Sequence, residues 1–189
     1  MHTKEELYSN KIFFNAALPL VKVIANDVPS LKKQFAHVHA IIQVSAKDPD
    51  APGGKVGMHF VVNSDEWLVH LNKVDPNPHV ELEFKSVEAM NAFFKGKMSP
   101  ATLPKMKGVV THFGAFKAFL MTLLKMSSLL GATEAPKDEA TKELMVKCFF
   151  YLLSSGISQL NKMGHEDIHG WTSKSPDRVY AWAVDGYPS

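Results

Sequence analysis

The stretch FFKGKMSPATLPKMKGVVTHFG, from Phe93 to Gly114, holds three glycines and two prolines among apolar residues and lysines. The sequences on either side of it carry apolar residues at helical spacing. Glycine and proline are unfavourable inside a helix, so this stretch interrupts the helical pattern. We therefore predict that it turns the chain from one helix into a strand and then into the next helix. Its residues Met98, Leu103 and Met106 are predicted to point inward.

Four segments before this stretch alternate apolar and polar residues, which is the pattern of half-buried strands. They are His37–Ser45, Gly57–Asn63, Trp67–Leu71 and His79–Lys85. The segment Asp48–Gly54 has the composition of a loop. The short segment Asn63–Glu66 predicts a hairpin turn between the second and third strands.

The fourth strand shows the alternation most clearly. Its apolar residues are predicted to face the core: Val80, Leu82 and Phe84. Its charged residues are predicted to face water: Glu81, Glu83 and Lys85. A strand with one apolar and one charged face favours an antiparallel sheet that is solvated on one side.

Helical patterns surround these strands. They cover Ser9–Ile24 with a kink at Pro19, Ser30–Phe35, Val87–Lys95, Ala115–Leu130 and Asp138–Met163. Ser86 is predicted to cap the third of them and Gly96 to end it. Residues Gly131–Lys137 have the composition of a linker, and alternation in Arg178–Asp185 predicts a further strand. The prediction is an α+β fold in which helices cover one face of about five mostly antiparallel strands, with added N- and C-terminal helices.

Composition limits the function classes. The chain has 189 residues, 21 lysines and arginines and 19 acidic residues, for a net charge of +2. Such a balance gives no support for a nucleic-acid partner. Cys148 is the only cysteine, and its apolar helical surroundings predict packing rather than reactivity. The sequence shows neither a secretory leader pattern nor an apolar run of about 18 residues, so we expect a cytoplasmic protein.

The order of elements from His37 onward is specific. A strand pair ending near a tryptophan precedes a third alternating strand and a short helix that ends in Gly-Lys-x-x-Pro. An apolar turn with a glycine, one more strand and a glycine before a long apolar helix come next. The residues concerned are Trp67, Val80–Phe84, Val87–Lys95, Gly96, Lys97, Pro100, Met106, Lys107, Gly108 and Gly114. In this order and spacing, the region from about His37 to Leu130 resembles the sterol carrier protein-2-like (lipid-transfer) family.

One segment departs from that family's pattern. Where the family has alternating lysines in the strand before the last helix, this chain has Val109, Val110, Thr111, His112 and Phe113. The resemblance divides the chain into an N-terminal helical extension (1–36), a lipid-binding core (37–131) and a C-terminal extension packed on the same domain (132–189).

The resemblance implies non-catalytic binding, and transfer, of a fatty acyl chain, acyl-CoA, sterol or similar lipid in an apolar tunnel between sheet and helices. It also implies transient membrane contact. It implies no catalytic residue, no cofactor and no metal. The implied tunnel residues are Phe84, Phe93, Phe94, Met98, Leu103, Met106, Val110, Phe113, Phe116, Phe119, Leu120 and Leu123. Burying a long acyl chain has a gross gain on the order of 5–10 kcal/mol. Flexible methionine side chains suit varied ligands.

Another interpretation is an interaction module with a filled core and no ligand. In that case the apolar surface of 115–130 or 138–163 forms a homodimer.

A third interpretation is a zinc hydrolase. The segment HEDIH places His165, Glu166 and His169 in the H-E-x-x-H pattern, whose chemistry needs both histidines one turn apart on a helix. Gly164 and Gly170 flank the segment, which favours a helix end, where a charged histidine complements the helix dipole.

Four histidines are predicted on the polar side of the strands: His37, His39, His59 and His70. Residues that are two positions apart on a strand share a face, so His37 and His39 have the spacing to bind one metal ion. No cysteine or carboxylate joins them at ligand spacing, which favours a polar sheet face that is solvated or covered by the N-terminal helix. The sequence contains no nucleophile motif or phosphate-binding loop, and we predict that the protein is not an enzyme.

Overall fold

The computed structural model of the chain describes residues 14, 18–94, 97, 99–130, 136–148 and 151. The predicted cap Ser9, the HEDIH segment and the predicted strand Arg178–Asp185 lie outside these residues.

The described residues form four complete helices and five strands. The helices are α1 (Leu20–Asp27), α2 (Pro29–Phe35), α3 (Val87–Phe94) and α4 (Phe113–Leu130). The strands are β1 (His39–Lys47), β2 (Lys55–Asn63), β3 (Glu66–His70), β4 (Val80–Phe84) and β5 (Lys105–Lys107). A single 3₁₀ turn, Pro52–Gly54, precedes β2, and residues 139–148 are helical.

The five strands form one mixed sheet in the order β3-β2-β1-β4-β5. Strands β1, β2 and β3 are joined by antiparallel hairpins, and β5 pairs antiparallel with β4. Strand β4 lies parallel to β1, with Val44 opposite Leu82. The α+β class and the predominance of antiparallel pairs are confirmed, and the parallel pair is the feature that local alternation did not indicate.

The parallel pair requires a connection that crosses the sheet, because β3 and β4 lie on opposite sides of β1. This connection, residues 71–79, runs over the polar face of the sheet. The Asp75 backbone N–H donates to Gln43 Oε1 at 2.6 Å, and the carbonyl of Lys73 lies 2.8 Å from Nδ1 of His59. The polar face is therefore covered by a loop at its centre.

The apolar face of the sheet and the helices enclose one core. Alternate residues of β1, β2 and β4 are fully buried in it, and the rings of Phe35, Phe60, Trp67 and Phe119 join the helices to the sheet. Phe35 lies edge-on to Trp67 at a centroid distance of 4.7 Å, and Phe60 lies 6.0 Å from Phe119. Such aromatic pairs stabilise the core through the arrangement of their rings as well as through the apolar area that they bury.

The local signals at helix ends are confirmed where the structure describes them. Ser86 Oγ accepts a hydrogen bond from the Ala89 backbone N–H at 3.1 Å, so it caps α3. Pro19 immediately precedes α1, and Pro29 is the first residue of α2.

The last strand does not lie where the family pattern placed it. Strand β5 is Lys105–Lys107, whereas residues 109–112 form a turn and α4 begins at Phe113. Gly108, at φ +76°, ends the strand, because this backbone conformation does not continue a ladder. Gly114 lies inside the first turn of α4 rather than before it.

Residues 139–148 pack on the N-terminal helices. Leu144 and Cys148 belong to the core cluster, and Lys147 forms an ion pair with Asp27 at the end of α1. Burial raises the pKa of the Cys148 thiol to about 11, which agrees with the predicted packing role. No helix in the described part of the chain is both long and apolar enough to cross a bilayer.

Candidate functional site

The twelve predicted tunnel residues divide into three groups in the structure. Buried members are Phe84, Phe116, Phe119 and Leu123, and half-buried members are Phe93, Phe94 and Leu120. Exposed members are Leu103, Met106, Val110 and Phe113. Met98 lies outside the described residues.

Three of these predicted tunnel residues, Phe84, Phe93 and Phe94, form an aromatic cluster. Phe84 of β4 lies 5.3 Å from Phe93 and 5.7 Å from Phe94, and the last two rings meet edge-on at 5.4 Å. Phe84 is fully buried, whereas both α3 rings are partly exposed. The cluster therefore connects the core to the surface at the end of α3.

Met106 lies where the core meets the edge of the sheet. It pairs with Leu82 of β4, so its side chain is on the same face as Leu82 and Phe84, the face that the helices cover. Because β5 is the edge strand, this position is 46% exposed. Leu103, two residues before β5, is 50% exposed, so it is not enclosed as a buried tunnel wall would be.

Exposed apolar residues continue from this edge along α4. Val110 is 93% exposed and Phe113 is 59% exposed. Met121 and Leu124 follow on α4 at spacings that keep them on one helical face with Phe113. We call the following six residues the apolar rim: Leu103, Met106, Val110, Phe113, Met121 and Leu124. They make up six of the nine large apolar side chains that are exposed among the described residues.

On the opposite, polar face of the sheet, the predicted exposure of two residues is wrong. Glu81 and Glu83, predicted to face water, are buried. Lys107 Nζ donates to Glu81 Oε2 at 3.0 Å and to Glu83 Oε2 at 3.1 Å. Lys55 forms ion pairs with the same two carboxylates, at 3.2 Å to Glu81 Oε1. The alternation correctly predicted that both carboxylates lie on the polar face of the sheet, but loops and lysines cover them on that face.

Neutral donors complete this carboxylate–lysine cluster. Ser45 Oγ donates to Glu81 Oε1 at 2.6 Å, and Gln43 Nε2 donates to the same oxygen at 2.9 Å. The sequence contained a signal for these contacts, because Gln43 and Ser45 share the parity of the polar positions in β1. The sequence did not indicate that β1 pairs with β4.

The hydrogen bonds in the cluster control its ionisation. Burial by itself raises the pKa of Glu81, but the hydrogen bonds that it accepts outweigh burial and lower the pKa from 4.5 to about 2. The donors are Ser45, Gln43, Lys107 and Lys55. The pKa of Glu83 is also lowered, since bonds from Lys55 and Lys107 outweigh burial. Both carboxylates are therefore ionised at neutral pH, which suits a structural cluster better than proton transfer.

Two pockets lie away from the apolar rim. One, of about 410 Å³, is on the polar face beside the carboxylate–lysine cluster, under the loops that contain Pro52 and Asp75. The other, of about 690 Å³, lies beside Trp67 and Leu68 at the β3 edge of the sheet. Neither is lined by a predicted tunnel residue among those described.

The histidines do not form a metal site among the described residues. His37 is exposed and precedes β1, while His39 contacts the side chain of Asn63. His59 is buried and stacks on His70 at a centroid distance of 4.6 Å. No group of three metal-ligating side chains occurs within the described ranges.

The sequence matches no protein-family model, and no curated protein is significantly similar to it. One solved structure is similar, the solution structure of a conserved hypothetical protein from Thermus thermophilus, described as a possible sterol carrier protein. Its TM-score is 0.36 and its sequence identity 10%, over 76% of this chain and 90% of that one.

Proposed function

We propose that this protein binds a hydrophobic ligand, such as a fatty acid, acyl-CoA or sterol-like lipid, without catalysing a reaction on it. The ligand enters between the sheet and the helices at the β5 edge. The observation that carries the proposal is the position of Met106, which is on the core face of the sheet and yet half-exposed. Exposed apolar side chains on both sides of it, in the apolar rim, are typical of a ligand or interaction site.

A continuous apolar path supports entry at this edge. Met106 neighbours Leu82 across the β4–β5 ladder, and Phe84 follows on the same face of β4. Phe84 contacts the two half-buried rings of α3. A ligand along this path replaces water on the rim with apolar contacts, and the flexible side chain of Met106 adapts to its shape.

Binding is tested with a fluorescent fatty acid and with native mass spectrometry of gently purified protein. We expect co-purified lipid and saturable uptake. Phe113→Ser removes a rim side chain, and we expect it to weaken binding about tenfold, because a buried phenylalanine contributes on the order of 1.5–3 kcal/mol. Leu68→Ser is the matched control, since Leu68 is 63% exposed but lies on β3, away from the rim.

Two results would contradict the proposal. Absence of both co-purified lipid and probe uptake would show that the protein is not a lipid binder. Equal weakening by the two substitutions would show that binding does not depend on the apolar rim.

A second candidate is the homodimer, which the exposed α4 residues Met121 and Leu124 favour. In that case two copies cover each other's α4 face. Sedimentation over a range of concentrations tests it: a dimer that Leu124→Lys dissociates, together with no lipid uptake, would support this function in place of ligand binding.

A further inference from the structure

The charge around the apolar rim is one-sided. Between Glu88 and Glu134 the sequence has no aspartate or glutamate, but it has six lysines. Four of these, Lys97, Lys105, Lys107 and Lys117, are exposed. Lys117 lies one helical turn after Phe113 and one turn before Met121, on the exposed face of α4. The surface that carries the rim is therefore both apolar and basic.

Not every lysine of this segment is available. Lys107 is held by Glu81 and Glu83. Hydrogen bonds from Thr141 lower the pKa of the Asp138 carboxyl, and the charge of Lys125 contributes to the same shift, so Lys125 lies near that carboxylate. The free basic side chains next to the rim, among the described residues, are those of Lys97, Lys105 and Lys117.

Val110 is too exposed for packing in the core to explain why this position is apolar. It lies in the turn between β5 and α4, and it is 93% exposed. The turn itself is held in place, since the His112 N–H donates to the Gly108 carbonyl at 2.9 Å and the His112 ring meets that of His79 edge-on at 4.9 Å. The structure thus presents a β-branched apolar side chain to the outside on an anchored turn.

We propose that this surface docks on an anionic phospholipid bilayer, with Val110 and Phe113 inserted among the acyl chains and Lys105 and Lys117 at the headgroups. Apolar residues flanked by lysines are the composition of an interfacial membrane contact. A second copy of the chain fits this surface less well, because it would bring the same lysines against one another. The inference rests on the proposed function, since a lipid ligand would pass between the bilayer and the β5 edge.

The test is flotation of the full-length protein with two kinds of vesicle, phosphatidylcholine alone and phosphatidylcholine mixed with phosphatidylserine. We expect binding to the mixed vesicles that decreases as salt is added, because ions screen the lysines. Val110→Asp is expected to weaken vesicle binding by about tenfold or more. The double variant Lys105→Glu, Lys117→Glu is expected to weaken it by at least about twenty-fold, at roughly fivefold per lysine.

The matched charge control is the double variant Lys47→Glu, Lys73→Glu, at exposed positions away from the rim, and it is expected to bind like the unmodified protein. Equal loss with this control, or equal binding to both kinds of vesicle, would overturn the proposed surface.

Uptake of a fluorescent fatty acid without vesicles separates this inference from the proposed function. Normal uptake by a protein that does not bind mixed vesicles would overturn membrane docking and leave the proposed function standing. A dimer in sedimentation that Val110→Asp dissociates, with no vesicle binding, would assign the surface to a second copy instead.

Discussion

At the scale of single residues, Gly108 holds the turn that leads to the apolar rim. Its φ of +76° is a conformation that other residues adopt at a cost. A Cβ at this position would lie 1.8 Å from the carbonyl oxygen of His79, so the backbone of the loop before β4 leaves no room for a side chain. Gly108 therefore allows the end of β5 to approach that loop.

We expect Gly108→Ala to lower the free energy of unfolding by more than about 2 kcal/mol, since it adds a clash to backbone strain. The control is Gly53→Ala, at φ +79° with no atom within 4 Å of its added Cβ. That variant is expected to lose only about 1–2 kcal/mol, from strain alone. Urea unfolding measures both, and equal losses would contradict the close approach at Gly108.

At the scale of elements, β5 is too short to be held by its ladder alone. It has three residues, and its lysines point to the polar face of the sheet while Met106 points to the core face. Lys107 binds the two buried carboxylates of β4, at 3.0 and 3.1 Å. Glu81 and Glu83 in turn raise the pKa of Lys107, so its ammonium group stays charged. This contact fixes the strand that carries one side of the proposed entry.

We expect Lys107→Met to destabilise the protein by about 2 kcal/mol, because it leaves buried carboxylates with fewer partners. Lys55 still binds them, and the partly exposed position of Lys107 reduces the loss. Lys105→Met, on the same strand and face, is the control and is expected to change stability by less than about 0.5 kcal/mol. Urea unfolding and amide exchange of residues 105–107 measure the difference, and equal effects would refute the role of Lys107.

At the scale of the whole molecule, the polar face is a buried charged layer rather than a solvated one. The connection 71–79 crosses it, and the carboxylate–lysine cluster joins β1, β2, β4 and β5 beneath that loop. Its ionisation is therefore linked to the stability of the whole sheet.

This linkage predicts the response to acid. Because folding lowers the pKa of Glu81 from 4.5 to about 2, Glu81 stabilises the folded state above pH 4.5. The stabilisation is lost as the pH falls from 4.5 towards 2, and it amounts to about 3 kcal/mol. In urea unfolding between pH 5 and pH 2, we expect Glu81→Gln to remove most of this dependence. Glu66→Gln, at an exposed position of β3, should keep it, and a Glu81→Gln variant with unchanged acid dependence would contradict the assignment.

Much of the fold was predictable because its signals are local. Alternation located β1 to β4 to within two residues at each end, and Ser86 was identified as a cap. Four of the six residues of the apolar rim lie in Phe93–Gly114, the stretch whose apolar character the sequence showed. Strand β5 was not located, since three residues are too few to show a period. Leu103, predicted to point inward, is half-exposed, and its exposure depends on which distant segments cover it rather than on its neighbours in the sequence.

By itself, the sequence determined which side chains are apolar, at what period they recur, and where glycine and proline break that period. These properties follow from each residue and its nearest neighbours. Only the tertiary structure decided that β4 lies parallel to β1, that Glu81 and Glu83 are buried, and that the rim stays exposed. Each of these depends on which distant segments meet, and burial is a property of the surfaces that come together rather than of the side chain alone.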